Sequence, residues 1–244
     1  MINSEDLTGK VVLVTGASHG LGYAVALAAA RAGAKVIACG RQVGALEELD
    51  DAINELGGCA TIVEHDMQDL PALPRLAEAI HERWGRLDGL VANAAILGAL
   101  TPLSHLEESV WDDTIATNLT SQWHLIKAME PLLIAAPAGR AVLVSSGAAS
   151  GCYAFWGAYA VSKAGLEAMG RVWANETEKT SLRVNMINPG GTATNMRAQA
   201  FPGEDPKKLP TADAVAPAFL QLLSDSCHAH GQLFMARAML DLQL

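Results

Sequence analysis

The chain has 244 residues, half of them hydrophobic and only 5% aromatic. That is enough apolar mass for the core of one large domain or two small ones. With 26 acidic against 17 basic residues the formal charge is −9, which excludes a general nucleic-acid or acidic-membrane binder and obliges any anionic ligand to find a local positive site.

Cys39, Cys59, Cys152 and Cys227 show no Cys-x-x-Cys spacing. No metal site or disulfide framework is expected from them, and a reducing cytoplasm is the expected compartment. The polar start, Met1 to Thr8, lacks the basic head and apolar core of a secretion signal. The longest apolar stretch, residues 23–30, is far too short to span a membrane.

The first element is a strand, Lys10-Val-Val-Leu-Val-Thr15, apolar on both faces. It runs into Gly16-Ala-Ser-His-Gly20-Leu-Gly22 and then a helical pattern over residues 21–32. Strand, glycine turn and helix make half of a βαβ unit. Its glycines let a phosphate approach the backbone, where free N–H groups at the helix start meet it. A turn serving packing alone is the competing reading. His19, inside the turn, offers a weak second phosphate contact.

The second strand, Lys35 to Cys39, ends in Gly40-Arg41. An acidic residue there would bond the ribose hydroxyls of NAD. A guanidinium instead suits a 2′-phosphate, so the expected cofactor is NADP(H) rather than NAD(H). An exposed loop arginine would give the same letters. Residues 43–56 read as an amphipathic helix and 60–64 as the third strand. Asp66-Met67 follows at the carboxyl edge of the sheet, where Asp66 is placed either to accept from an adenine amino group or to cap the next segment. A helix over 70–84, with Pro71 near its start, precedes a fourth strand over 87–93 that closes in Asn93-Ala94-Ala95.

Residues 106–135 read as one long helix with a lead-in turn. Asn118 sits in it among Ile115, Leu119, Trp123, Leu125 and Ile126, a poor helix former that needs either a function or a solvent-facing position. The fifth strand, 139–145, delivers Ser146. After Gly157 a helix runs from 158 to about 177 and carries Tyr159 and Lys163, four apart and so on one face. An ammonium beside a phenol favours the phenolate, and this makes the pair a candidate acid/base. Tyr153 has Gly157 at the matching position and reads as a pocket-wall or loop aromatic. The sixth strand, 182–188, is followed by Pro189-Gly190-Gly191. Residues 192–209 show no periodicity and read as a substrate loop. A helix over 213–223 with Thr211 as its cap and a short strand over 232–236 complete the chain. This alternation predicts one domain over residues 1–244. Its fold class is α/β, a Rossmann-type doubly wound parallel β-sheet of about seven strands with helices on both faces.

In that order and spacing, Thr15-Gly16-x-x-x-Gly20-x-Gly22, Asn93-Ala94, Asn118, Ser146, Tyr159-x-x-x-Lys163 and Pro189-Gly190 resemble the short-chain dehydrogenase/reductase (SDR) family over essentially the whole chain. The resemblance implies an NAD(P)(H)-dependent oxidoreductase acting on an alcohol or carbonyl. Tyr159 would be the general acid or base, and Ser146 would bond the same oxygen, with Ser145 the less well-spaced alternative. Lys163 would lower the Tyr159 pKa and hold the nicotinamide ribose, and Asn118 would hold a proton-relay water. Gly16, Ser18, Gly20 and Leu21 would line the pyrophosphate, Arg41 the 2′-phosphate, Asp66 and Met67 the adenine, and Asn93 with Ala94 the adenosine side. Pro189, Gly190, Thr192 and Thr194 would border the nicotinamide. A homodimer through the two long helices, or a homotetramer, is also implied. The chain departs from the family at Ala92-Asn93-Ala94-Ala95, where relatives often carry Asn-Asn-Ala-Gly. It also lacks their Asp-Gly-Gly after the last strand. A dinucleotide-binding regulator without turnover is the alternative, and an epimerase or dehydratase is a third. Ile96, Leu97, Cys152, Tyr153, Trp156 and Met196 are the expected pocket walls and suggest an apolar substrate.

Overall fold

Seven parallel strands form one sheet in the computed structural model, which describes residues 5–242. Residues 1–4 of the polar start, and residues 243–244, lie outside the described residues. The strands are β1 Val11–Thr15, β2 Lys35–Gly40, β3 Ala60–Glu64, β4 Gly89–Ala92, β5 Arg140–Val144, β6 Arg183–Asn188 and β7 Leu233–Met235. Their order across the sheet is β3-β2-β1-β4-β5-β6-β7, every neighbouring pair parallel. The direction of winding reverses between β1 and β4, which opens a crevice at the carboxyl ends of those strands.

The helices are α1 Gly20–Arg31, α2 Val43–Glu55, α3 Ala72–Trp84, α4 Glu108–Ile115, α5 Ser121–Ala135, α6 Ala148–Gly151, α7 Gly157–Glu176, α8 Asn195–Ala200, α9 Ala212–Leu223 and α10 Ala236–Met239. Successive strand side chains point to opposite faces, so one unbroken apolar run feeds two cores. In β1 and β2, Val12, Val14, Val36 and Ala38 join α1, α2 and α9 on one face. Val11, Leu13, Ile37 and Cys39 join α3, α5 and α7 on the other. Among the described residues no helix is long and apolar enough to cross a membrane.

The expected helix over 106–135 is not continuous. A five-residue π-turn, Ala116–Thr120, separates α4 from α5, with a short 3₁₀ turn at Leu103–His105 before them. The expected structureless loop over 192–209 contains α8 and a 3₁₀ turn at Pro206–Lys208. A helix of six residues is too short to show an apolar period, so pattern reading passes over it. Thr211 caps α9 as expected, its hydroxyl accepting from Ala214 N–H at 3.2 Å.

Helix α7 lies unusually close to the sheet. A Cβ at Gly170 would fall 2.5 Å from Met186 Sδ and 2.9 Å from Leu143 Cδ1, so only glycine lets the helix sit at this depth over β5 and β6. That depth fixes how far the α7 side chains reach toward the end of β5.

Candidate active site

A cavity of about 850 Å³ runs along the carboxyl ends of the strands. Of the residues singled out by sequence, it brings together Gly16, Ser18, His19, Gly20, Leu21, Arg41, Asp66, Met67, Asn93 and Ala94. It also takes in Ser146, Tyr159, Lys163, Pro189, Gly190, Thr192 and Thr194. Asn118 and Cys152 do not line it.

The glycine turn is held by backbone packing. Gly16 has φ +66°, and a Cβ at Gly22 would sit 2.2 Å from Gly16 O. A side chain at 22 would break the loop, because a backbone oxygen in a packed turn has nowhere to move. Asn93 clamps the same turn: its Nδ2 donates to Thr15 O at 2.9 Å and Gly16 O at 3.2 Å, while Thr15 Oγ1 accepts from Asn93 N–H and Ala94 N–H. The Asn93 side chain thus staples β1 to β4. The adenosine contact expected of it does not fall to its amide, which is already spent on the protein.

At the end of β2 the donor set fits a nucleotide 2′-phosphate. Ser18 Oγ is buried with no hydrogen-bond partner, and a Cβ at Gly40 would lie 2.3 Å from it. An acidic side chain at 40 would therefore displace Ser18, and its place is taken by space beside Arg41. The Arg41 side chain is 62% exposed and its Nη1 is 3.8 Å from Asp66 Oδ2, a surface pair that leaves the guanidinium free to turn. Asp66 Oδ1 accepts Gln68 N–H at 3.0 Å, closing a turn ahead of α3 rather than capping the helix itself. His19 meets Gln42 Oε1 at 2.5 Å, so its ring is engaged with a neighbour across the turn and not held open for phosphate.

Tyr159, Lys163 and Glu167 stand on successive turns of α7 and stitch it to the end of β5. Lys163 Nζ donates to Val144 O at 2.7 Å, and Ser145 Oγ donates to Glu167 Oε1 at 2.6 Å. With Ser145 buried in that bond, Ser146 is the hydroxyl left facing Tyr159. Ser146 Oγ accepts Ala148 N–H at 3.2 Å and keeps its own hydrogen to give. The Tyr159 hydroxyl is directed at Met196 Sδ, 4.0 Å away, with no well-aligned bond to Ser146. Burial pushes the Tyr159 phenol up, and the nearby Ser146 hydroxyl pulls it part of the way back. The downward push expected from Lys163 is therefore not the governing effect. Lys163 Nζ lies 5.8 Å from the phenol ring centre and is itself pushed down to about 8 by burial.

Asn118 is fully buried in the π-turn, which rules out a solvent-facing position. Its Oδ1 accepts Ile96 N–H at 2.8 Å, and its Nδ2 donates to Ile96 O at 2.8 Å and Ser162 Oγ at 3.1 Å. Both N–H groups are spent and the side chain does not reach the cavity, so the expected water-holding role does not fall to this amide. It anchors the segment after β4 against α7. The extra residue of the π-turn aims it there, in keeping with the association of such turns with functional sites.

The family model for short chain dehydrogenase matches residues 10–205. The chain belongs to the short-chain dehydrogenase family. This SDR is 40% identical over 228 residues to the uncharacterized oxidoreductase YciK of Escherichia coli K12, covering 90% of this chain and 88% of that one. A putative short chain dehydrogenase from Shigella flexneri, solved in complex with NADP, superposes with a TM-score of 0.93 at 40% identity, over 96% of this chain and 100% of that one. One from E. coli CFT073, solved with NADPH, gives 0.93 at 40% identity, over 96% and 99%.

Sequence reading of the SDR missed Glu167, Gln42, Arg197 and Phe201 as parts of the site. Glu167 carried a visible signal, since Tyr159, Lys163 and Glu167 repeat every fourth residue. Arg197 and Phe201 carried none, because their roles come from how α8 folds over the cavity.

Proposed function

We propose that this chain is a single-domain NADP(H)-dependent oxidoreductase that interconverts an alcohol and a carbonyl compound, with Tyr159 as the general acid/base. The observation that carries the reading is the convergence of Ser146, Tyr159 and Lys163 on the cavity whose other end holds the glycine turn, the unpartnered Ser18 hydroxyl and Arg41. Gly16, Ser18, Gly20 and Leu21 would hold the pyrophosphate, Arg41 and Ser18 the 2′-phosphate, and Pro189 to Thr194 the nicotinamide. A bound nicotinamide supplies or accepts the hydride. The protein supplies the rest. The Ser146 and Tyr159 hydroxyls meet the oxygen as negative charge grows on it, a preorganised pair of donors. Tyr159 gives that oxygen its proton in reduction and takes it back in oxidation. Lys163 keeps a positive charge beneath the phenol and is placed to bond the ribose. Loss of nicotinamide absorbance on mixing NADPH with a panel of aldehydes and ketones tests the reading. A panel with no turnover at saturating NADPH would count against it.

The cofactor choice is separable. Arg41→Ala removes a charge-assisted phosphate contact of about 1.5–3 kcal/mol. It is expected to weaken NADPH binding at least tenfold and to leave NADH within about threefold, as read by nicotinamide fluorescence titration. Equal weakening of both would show that Arg41 does not read the phosphate.

We also read the assembly as a homodimer or homotetramer in the cytoplasm. Trp123, Ile134, Val161 and Val172 on α5 and α7 are 38–55% exposed, an apolar strip of the kind a second copy covers. Light scattering is expected to give at least twice the monomer mass, and Trp123→Glu with Val172→Glu to reduce it. A monomer at micromolar concentration would refute this.

A further inference from the structure

The cavity changes character at Tyr159. Toward Arg41 it is walled by glycines, hydroxyls and charged ends; on the other side lie Leu97, Met196 and a set of aromatic rings. Trp156 is the hub of that set. Its ring centre is 5.7 Å from Tyr159 at 64°, 5.7 Å from Phe201 at 37° and 6.4 Å from Tyr153 at 68°. Phe201 is backed by the Arg197 guanidinium, 3.8 Å from its ring centre, and that guanidinium is paired with Glu204 through Nε at 2.5 Å and Nη2 at 2.8 Å. Arg197 is thus a neutralised prop, not an open cationic site. The other polar side chains bordering this arm have protein partners: Asn188 Oδ1 accepts Gly190 N–H, and Thr194 Oγ1 accepts Arg197 N–H. The Ser146 and Tyr159 hydroxyls remain as donors, at the inner end.

We propose that the substrate of this site is an uncharged ring compound, aromatic or fused-ring, carrying its carbonyl at the edge of the ring system, and that Trp156 selects it. This rests on the carbonyl-reducing reading above and narrows it to a substrate class. Apolar walls without a free counter-charge reject an anionic substrate, because burying an unpaired charge is costly. Faces and edges of Trp156, Phe201 and Tyr153 offer the offset and edge-on contacts that a planar π-system makes best. Phe201 and Tyr153 are 38% and 58% exposed, so they have surface left for a ligand ring to cover. A flexible chain would gain similar area but would lose several rotors in the process. Two donors beside Tyr159, and none further out, call for one polar atom at the inner rim of the ligand.

The test compares three probes with NADPH: 1-tetralone, the open-chain 2-decanone and the anionic phenylpyruvate. The expected kcat/KM for 1-tetralone exceeds that of either other probe at least tenfold. Trp156→Leu is expected to cut the value for 1-tetralone tenfold or more and that for 2-decanone less than threefold, while Trp156→Phe stays within threefold for both. Calorimetric binding of 1-tetralone to the NADPH-loaded protein should follow the same order, and thermal unfolding checks that each variant is folded. If Trp156→Leu does not fold, the wild-type ranking and Trp156→Phe still decide. Reduction of 2-decanone or phenylpyruvate as efficiently as 1-tetralone, or an equal loss on all probes in Trp156→Leu, overturns the ring proposal and leaves the oxidoreductase reading intact. NADPH binding with no turnover and no calorimetric binding of any probe overturns both.

Discussion

Tyr159→Phe is expected to bind NADPH within about threefold of the parent and to lose turnover by a factor of about 10³ or more. The substitution removes one oxygen and leaves the ring, so the T-shaped contact with Trp156, 5.7 Å between centres, survives. What disappears is the proton that must reach the substrate oxygen, and general acid catalysis accounts for about 10²–10⁴ of rate. Half of the two-donor cradle goes with it, worth a further factor of about 10². The hydroxyl makes only a 4.0 Å contact to Met196 Sδ, so its loss leaves no buried partner stranded and stability should barely move. Initial rates of NADPH consumption and fluorescence titration of cofactor together check this. Turnover surviving within tenfold would assign the proton to another group, and lost NADPH binding would mean that the hydroxyl serves the cofactor instead.

Lys163→Met is expected to abolish most turnover and, at pH 7, to make the protein more stable. Burial moves the Lys163 ammonium from its usual 10.5 to about 8. Each pH unit of that displacement is worth about 1.4 kcal/mol, so carrying the charge inside costs on the order of 3 kcal/mol. The hydrogen bond to Val144 O, at 2.7 Å, returns part of it, and its loss leaves that carbonyl unpaired at a cost of about 1–3 kcal/mol. A net gain of about 1 kcal/mol for the variant follows below pH 8. Between pH 8 and 10.5 the folded lysine is neutral while the unfolded chain still binds the proton. The unfolded state then holds more protons, and the parent gains stability as pH rises. The advantage of the variant therefore shrinks through that window and reverses near its upper end. Urea unfolding from pH 6.5 to 10 reads this directly, and a difference independent of pH would mean that the lysine carries no burial penalty.

Much of the architecture is legible because strands buried on both faces read as continuous apolar runs, and helices of a dozen residues show their own period. β1 and β5 are examples, each flanked by its turn signal. The glycine turn and the Tyr159, Lys163 pair are legible for a related reason, since their chemistry depends on spacing within one segment. What sequence does not disclose is how segments spend their polar groups on one another. Asn93 and Asn118 each invite a ligand role by position, yet both amides are consumed in tying neighbouring segments together. Whether Lys163 or burial governs the Tyr159 phenol is likewise a question of depth, set by Gly170 and its closeness to Met186 and Leu143. Arg197, Phe201 and Glu204 lie in a stretch with no period, and only the fold of α8 makes them a wall.

The π-turn at Ala116–Thr120 has a consequence for how this protein tolerates insertion and deletion. A surplus residue in one turn rotates everything that follows by about 100°, one residue's share of a helical turn. Leu125, Met129 and Leu133 look into the core, and Trp123 looks outward, in a phase set by that surplus. Closing the turn to regular geometry by deleting one residue would swing the whole of α5 by that angle, burying lysine and baring leucine. The chain length between β4 and β5 is thus fixed at this point by phase, even where the individual letters are free to drift.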